Sequence, residues 1–240
     1  MLFTVICPIH NEASFLPLIL PSIYRLKPAE AIFCLDRCMD GSEQIIRMWG
    51  NHHRGETDTD IRYYDERHGQ GWRFRGAYLR RDAYVHAHND LILNTSADIT
   101  LDQTIKKHLG KVRGATIFGF LDHPWTPQCF LRRLAGSVGL HGYSGLMAFS
   151  REAWFDTENQ EAVKRIPRAE DTHLLKAIET QHPVDYVNTR SFHLRPNESP
   201  MDHYNRGVEM RRRKASLSEA TASSALMLRP TQLRGFLASK

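Results

Sequence analysis

Short apolar and β-branched runs, each closed by turn-forming residues, recur along the chain, and between several of them the apolar positions change to helical spacing. Runs of about 4–8 such residues bounded by Gly, Pro, Asn or Asp read as strands. They predict strands over residues 3–7, 31–35, 61–64, 91–95, 116–121, 146–149 and 184–187. Helical spacing predicts helices over 43–49, 71–87, 101–109, 128–138 and 171–180. Strands alternating with helices argue for an α/β sheet rather than a sandwich. The first half reads as a run of βαβ units, whose right-handed crossovers lay strands parallel with their C-terminal ends along one ligand-binding edge. Candidate chemistry is therefore sought just after strands.

Composition narrows the class. With 240 residues, 41% of them hydrophobic, the chain holds one well-buried core but not two ordinary enzyme domains. Charged and small residues take over near Pro196, which sets the expected organisation: a domain over 1–196 and a basic, mostly helical extension over 197–240. The longest apolar stretches, 15–20 and 225–228, fall far short of the roughly 20 residues of a bilayer-spanning helix. With no basic leader at the N-terminus, the expected location is cytoplasmic. The four cysteines, Cys7, Cys34, Cys38 and Cys129, are expected to be reduced thiols, and their spacing does not build a zinc knuckle.

The formal charge of +5 comes largely from arginines within 67–81 and 206–214 and points to anionic ligands. No nucleic-acid-binding module accompanies it, so phosphate or an anionic membrane surface is the expected partner. The tail, with Arg206, Arg211, Arg212 and Arg213, has two readings: a solvated helix packed on the domain, or a surface helix making peripheral contact with anionic lipid.

Six stretches carry candidate chemistry. Pro8-Ile9-His10-Asn11-Glu12 follows the first strand, and Asp36-Arg37-Cys38-Met39-Asp40-Gly41-Ser42 the second. Asp36 can accept hydrogen bonds from a ribose or base, whereas Asp40 and Ser42 suit the capping of the next helix. Residues 66–76 form a glycine-spaced basic loop containing Arg67, Gln70, Arg73 and Arg75; it suits phosphate, because glycines allow close backbone approach and arginines neutralise charge. It matches neither the dinucleotide fingerprint nor the Walker loop, and a solvated helix face is its other reading. Leu91 to Asp98 is an apolar strand ending in one carboxylate, Asp98, an oxygen ligand of the kind a hard cation takes. Glu170-Asp171 opens a helix, where acidic residues are favoured by the helix dipole in any case. His193 follows the last strand between apolar neighbours and reads equally as a core or surface histidine.

Taken in order, these stretches resemble the family 2 glycosyltransferases of GT-A fold over residues 3–196. The resemblance implies a Rossmann-like α/β fold: a mixed, mostly parallel sheet flanked by helices, here with a C-terminal helical extension. Pro8, Asn11 and Glu12 are similar to the family's opening motif, Asp36 to Ser42 to its nucleoside-binding turn, and Gly69 to Gly76 to its basic glycine loop. Ser96-Ala97-Asp98 occupies the place of the metal-binding Asp-x-Asp. Tyr143 to Ala153 resembles the acceptor-side segment, and Glu170-Asp171-Thr172-His173-Leu174-Leu175 the motif that supplies the catalytic base. Ser96 departs from the pattern, so the resemblance leaves Asp98 and His193 as the ligand pair; the imidazole favours Mn²⁺ over Mg²⁺.

The implied reaction is inverting transfer from a UDP- or GDP-sugar to a hydroxyl or lipid-phosphate acceptor, with Asp171 as general base. Donor contacts fall to Pro8, Asn11, Glu12, Asp36, Arg67, Gln70, Arg73, Arg75, Ser96 and Asp98, and acceptor contacts to Trp125, Tyr143 and Glu170. Two rivals are an inactive nucleotide- or sugar-binding module of the same fold, suggested by Ser96, and a sugar nucleotidyltransferase. The latter's glycine-rich first loop is missing: no glycine occurs between Cys7 and Gly41.

Overall fold

The computed structural model describes residues 1–64, 75–122, 145–158 and 170–194, with Thr221 and Leu237. The chain divides into two compact units, Met1–Phe120 with Tyr143–Leu194, and Leu121–Gly142 with Arg195–Lys240. The first carries the sheet, up to the end of one strand that runs on to Asp122.

In chain order the elements are β1 (Thr4–Ile9), α1 (Leu16–Leu26), β2 (Glu30–Asp36), α2 (Ser42–His52), β3 (Asp58–Tyr64), α3 (Arg75–His86), β4 (Leu91–Asn94), β5 (Ile99–Thr100), α4 (Ile105–Leu109), β6 (Ala115–Asp122), β7 (Met147–Ser150), α5 (Arg151–Glu158), α6 (Glu170–Glu179) and β8 (Val184–His193). Among the described residues they build one eight-stranded sheet in the order β3-β2-β1-β4-β7-β6-β8-β5. From β3 to β4 neighbouring strands are parallel, with Thr4 opposite Glu30 and Ile92, and Glu30 opposite Asp58. The βαβ expectation thus describes the first half, while in the second the direction reverses: β7 runs against β4 and β6, and β5 against β8.

Strand alternation sends side chains to two cores. Val5, Cys7 and Ile9 of β1 pack on one face with Leu16, Ile19, Ile23 and Leu26 of α1 and with Ile46 and Trp49 of α2. Ile6 joins the other with Leu79 and Ala83 of α3, Trp154 of α5, and Leu174 and Ile178 of α6. Full burial of each large apolar side chain contributes about 1.5–3 kcal/mol. Helix α1 is masked in the sequence by two prolines within an apolar run. Pro17 sits at its start, where no N–H is needed, and the helix absorbs Pro21 because Leu16, Ile19, Leu20, Ile23 and Leu26 are buried at helical spacing. Neither α5 nor the two-residue β5 is among the expected elements. Helix α4 begins at Ile105, not residue 101, because Asp102 Oδ1 accepts the Thr104 N–H at 3.0 Å and holds a turn there. The expected helix over 128–138 lies outside the described residues, as does 71–74 of the helix expected over 71–87. No helix among the described residues is long and apolar enough to cross a membrane.

Asn94, at the end of β4, is fully buried, and among the described residues neither its amide nitrogen nor its oxygen has a partner. An unsatisfied buried polar group costs about 1–3 kcal/mol. Asn94→Leu, of similar volume, is therefore expected to raise stability by about that amount, read as a higher urea midpoint with unchanged slope; a lower midpoint would show that the amide is satisfied.

Between β3 and α3, Arg62 Nε donates to Asp82 Oδ2 at 2.8 Å, its Nη1 donates to Asp60 at 3.2 Å, and the Tyr64 hydroxyl donates to Asp82. Burial alone would raise the Asp82 pKa, but the hydrogen bonds from Tyr64 and Arg62 outweigh it and hold the carboxyl below its ordinary value. A depressed folded-state pKa contributes stability above the unfolded value and loses it as pH falls through the folded one. The stability gap between wild type and Asp82→Asn should therefore narrow on acidification below the usual carboxylate range, in unfolding curves run from neutral pH downwards.

Candidate active site

The loops after β1 and β2 are stitched into one cradle. Asn11 takes a left-handed backbone, φ 55°, which asparagine tolerates better than most residues, and its Oδ1 accepts the Met39 N–H at 2.7 Å. Ser42 Oγ accepts the Glu12 N–H at 2.9 Å, and Asp40 accepts from Ala13 N–H at 2.9 Å and Ser42 N–H at 3.0 Å. Asp40 and Ser42 are thus cross-loop ties as well as helix-start residues. Desolvation works against them, yet these hydrogen bonds leave the exposed Asp40 carboxyl below its ordinary pKa. His10 Nδ1 donates to the Asp36 carbonyl at 2.7 Å, since a carbonyl can only accept.

Asp36 and Glu12 are buried, at 7% and 5% exposure, at the floor of the cradle. Arg37, also left-handed at φ 45°, turns its guanidinium back onto Asp36, with Nε 3.0 Å from Oδ1 and Nη2 3.5 Å from Oδ2. Sequence reasoning misses this contact because it depends on the left-handed backbone; its one signal in the sequence is an Asp-Arg dipeptide at a strand end. Cys7 and Cys34 are free and buried, and burial pushes the Cys7 thiol far up and the Cys34 thiol to about 12. Both stay protonated near neutrality and are not nucleophiles.

The neighbouring strand β4 carries the other half. After Asn94 the chain turns through Thr95 and Ser96, whose carbonyl accepts the Ile99 N–H at 3.2 Å, and presents Asp98 just before β5. His193 is the last residue of β8 rather than a residue beyond the strand. Register sets it opposite Ile99, and Leu194 N–H donates to the Asp98 carbonyl at 2.8 Å. Imidazole and carboxylate meet, His193 Nε2 lying 3.3 Å from Asp98 Oδ2, with side-chain exposures of 20% and 12%. The Phe120 ring flanks the imidazole, centroids 5.7 Å apart.

Two donors at right angles about 2.1 Å from one ion lie roughly 3 Å apart, so the pair fits a shared divalent cation as two of its ligands. No third His, Cys, Asp or Glu joins them among the described residues.

Pro8, Asn11, Glu12, Asp36, Ser96 and Asp98 thus fall at or just after the ends of the neighbouring strands β2, β1 and β4, and His193, the end of β8, is brought to Asp98 through the β5–β8 pairing. Arg67, Gln70, Arg73, Trp125 and Tyr143 lie outside the described residues, as does the basic tail. Arg75 begins α3, and Glu170 and Asp171 begin α6. A separate cleft of about 620 Å³, lined by Arg47, Asn51, Arg54 and Asp58 among others, lies where α2 meets the start of β3.

The sheet order, the reversal after β4 and the paired loops define a GT-A fold. Solved structures agree. The chain is similar to a mannosyltransferase from Pyrobaculum calidifontis in complex with GDP-Man and Mn²⁺, with a TM-score of 0.63, 18% identity, and coverage of 98% of this chain and 70% of that one. It is similar to S. aureus TarS 1–349 in complex with UDP-GlcNAc, with a TM-score of 0.61, 15% identity, and coverage of 100% and 74%. It is also similar to 4-diphosphocytidyl-2C-methyl-D-erythritol synthase from Anaerococcus prevotii, with a TM-score of 0.54, 13% identity, and coverage of 79% and 89%. No protein-family model matches the sequence, and no curated protein matches it significantly.

Proposed function

We propose that this chain is an inverting glycosyltransferase using a nucleoside-diphosphate sugar, with 1–196 as the transferring domain and 197–240 as a basic extension. The observation that carries the reading is the Asp98–His193 pair, whose Asp98 follows β4, the strand paired with β1 beside the Asn11–Glu12–Asp36 cradle. In this reading the cradle holds the nucleoside through Asn11, Glu12 and Asp36. Arg67, Gln70, Arg73 and Arg75 are assigned to the diphosphate, and Trp125, Tyr143 and Glu170 to the acceptor, by the family resemblance. Asp171 takes the acceptor hydroxyl proton as the new oxygen–carbon bond forms at the anomeric centre, and the bond to the diphosphate breaks on the opposite side, which inverts the configuration. A divalent ion held by Asp98 and His193 neutralises charge on the departing diphosphate when bound. Similarity to structures holding GDP-Man with Mn²⁺ and UDP-GlcNAc supports the donor class.

Ser96, in place of the first acid of the metal motif, favours a second reading as a binding module without turnover. Nucleotidyl transfer shares the fold, but the chain lacks the glycine-rich first loop. Calorimetric titration of UDP and of GDP, with and without Mn²⁺, tests the main reading: metal-dependent binding of one nucleotide is expected. Binding of neither under any condition would sink it.

A further inference from the structure

The backbone ladder joining β5 to β8 is only two residue pairs long, Ile99 with His193 and Thr100 with Phe192. A bridge so short would fray, yet Asp98 and His193 must converge from its two strands. One step further the ladder stops, because Leu101 N–H is turned away to Ser22 Oγ at 3.0 Å. A side chain takes over there: Ser191 Oγ accepts the Asp102 N–H at 3.0 Å, and Asp102 Oδ2 accepts the Arg190 N–H at 2.7 Å. Segment 98–102 is thereby bracketed against 190–194 at both ends, with Leu194 N–H on the Asp98 carbonyl closing the other end.

Thr189, Ser191 and His193 share one face of β8 by the two-residue strand period. The two hydroxyl residues are buried, at 2% and 0% exposure. Thr189 has one hydroxyl hydrogen, and the Gly119 carbonyl 2.8 Å away can only accept it. The 2.9 Å contact between Thr189 Oγ1 and Ser191 Oγ is therefore donated by Ser191. Each hydrogen has one destination, so the pair fixes β8 against β6 and leaves the Ser191 lone pairs for Asp102. Hydroxyls buried this deep persist only when satisfied.

We infer that Ser191, backed by Thr189, is a positioning residue: its hydroxyl sets the phase of β8 that brings His193 opposite Asp98. The inference rests on the reading of that pair as metal ligands. Ser191→Ala removes the tie without touching either ligand, and Thr189→Val removes the link to Gly119 at nearly constant volume. Each is titrated with UDP or GDP, whichever the wild type binds, with and without MnCl₂, after thermal unfolding has shown that it folds. In Ser191→Ala the gain in affinity from Mn²⁺ is expected to fall by about 10–100-fold, as on loss of partners that orient metal ligands. Metal-free affinity should stay within about twofold, a split that general loosening of the fold would not produce. A smaller loss in the same direction is expected for Thr189→Val, which carries the test if Ser191→Ala does not fold. Full Mn²⁺ gain in the folded variants overturns the positioning role alone. No Mn²⁺ gain in the wild type removes the metal pair itself, and the inference with it.

Discussion

Asp98→Ala should lose the Mn²⁺-dependent part of nucleotide affinity by about 100-fold or more and reduce turnover at least as strongly, because an ion at a diphosphate supplies several kcal/mol of charge stabilisation and about 2.7 kcal/mol is a factor of about 100. The variant leaves only one ligand of the pair, His193. Its architecture should survive, since the Asp98 tie to Leu194 runs through the backbone carbonyl, which alanine keeps. Metal-free binding should change little, as the nucleoside cradle hangs on Asn11, Asp40 and Ser42. In the wild type Mn²⁺ should give a larger gain than Mg²⁺, because imidazole suits the former better. Calorimetry on the two proteins with each metal checks both statements. Equal Mn²⁺ gains in variant and wild type would take Asp98 out of the ion site.

The second large effect is expected at the N-terminus of α6. If Asp171 accepts the acceptor proton, Asp171→Asn keeps shape and polarity but removes the base, and turnover should fall by about 10²–10⁴-fold. Donor affinity, with and without Mn²⁺, should be unchanged. This separation distinguishes a base from a residue that merely favours the helix start: loss of a dipole-stabilising carboxylate costs about 0.3–1 kcal/mol of stability and leaves chemistry intact. Turnover close to wild type in the asparagine variant would remove Asp171 from the role, whatever its effect on melting.

Strands β1, β2 and β4 are legible because each is an apolar run closed by a turn, and their C-terminal ends and the loops that follow carry Asn11, Asp36 and Asp98. What escapes the sequence has a local physical reason in each case. Strand β5 is too short to show any period. Strand β8 reads from the sequence as ending at residue 187, because Thr189 and Ser191 look like surface residues until their hydroxyls are seen to be paired inside. The same reading puts His193 beyond the strand, although the family resemblance matches it with Asp98. The reversal of direction at β7 leaves no mark on hydrophobic spacing, which reports faces and not polarity along the strand. The Arg37 contact with Asp36 hangs on one left-handed residue, which neither propensity nor pattern announces in an arginine.

The two halves of the site differ in the length of chain each must close. Cradle ties span 27 residues from Ala13 to Asp40 and 30 from Glu12 to Ser42, whereas the link from Asp102 to Ser191 spans 89. Loop closure grows costlier with length, and chains emerge from the ribosome N-terminus first. On a growing chain the cradle half therefore has all its residues well before β8 has been made, and a product stopped between β5 and β8 carries a cradle with Asp98 but without its histidine.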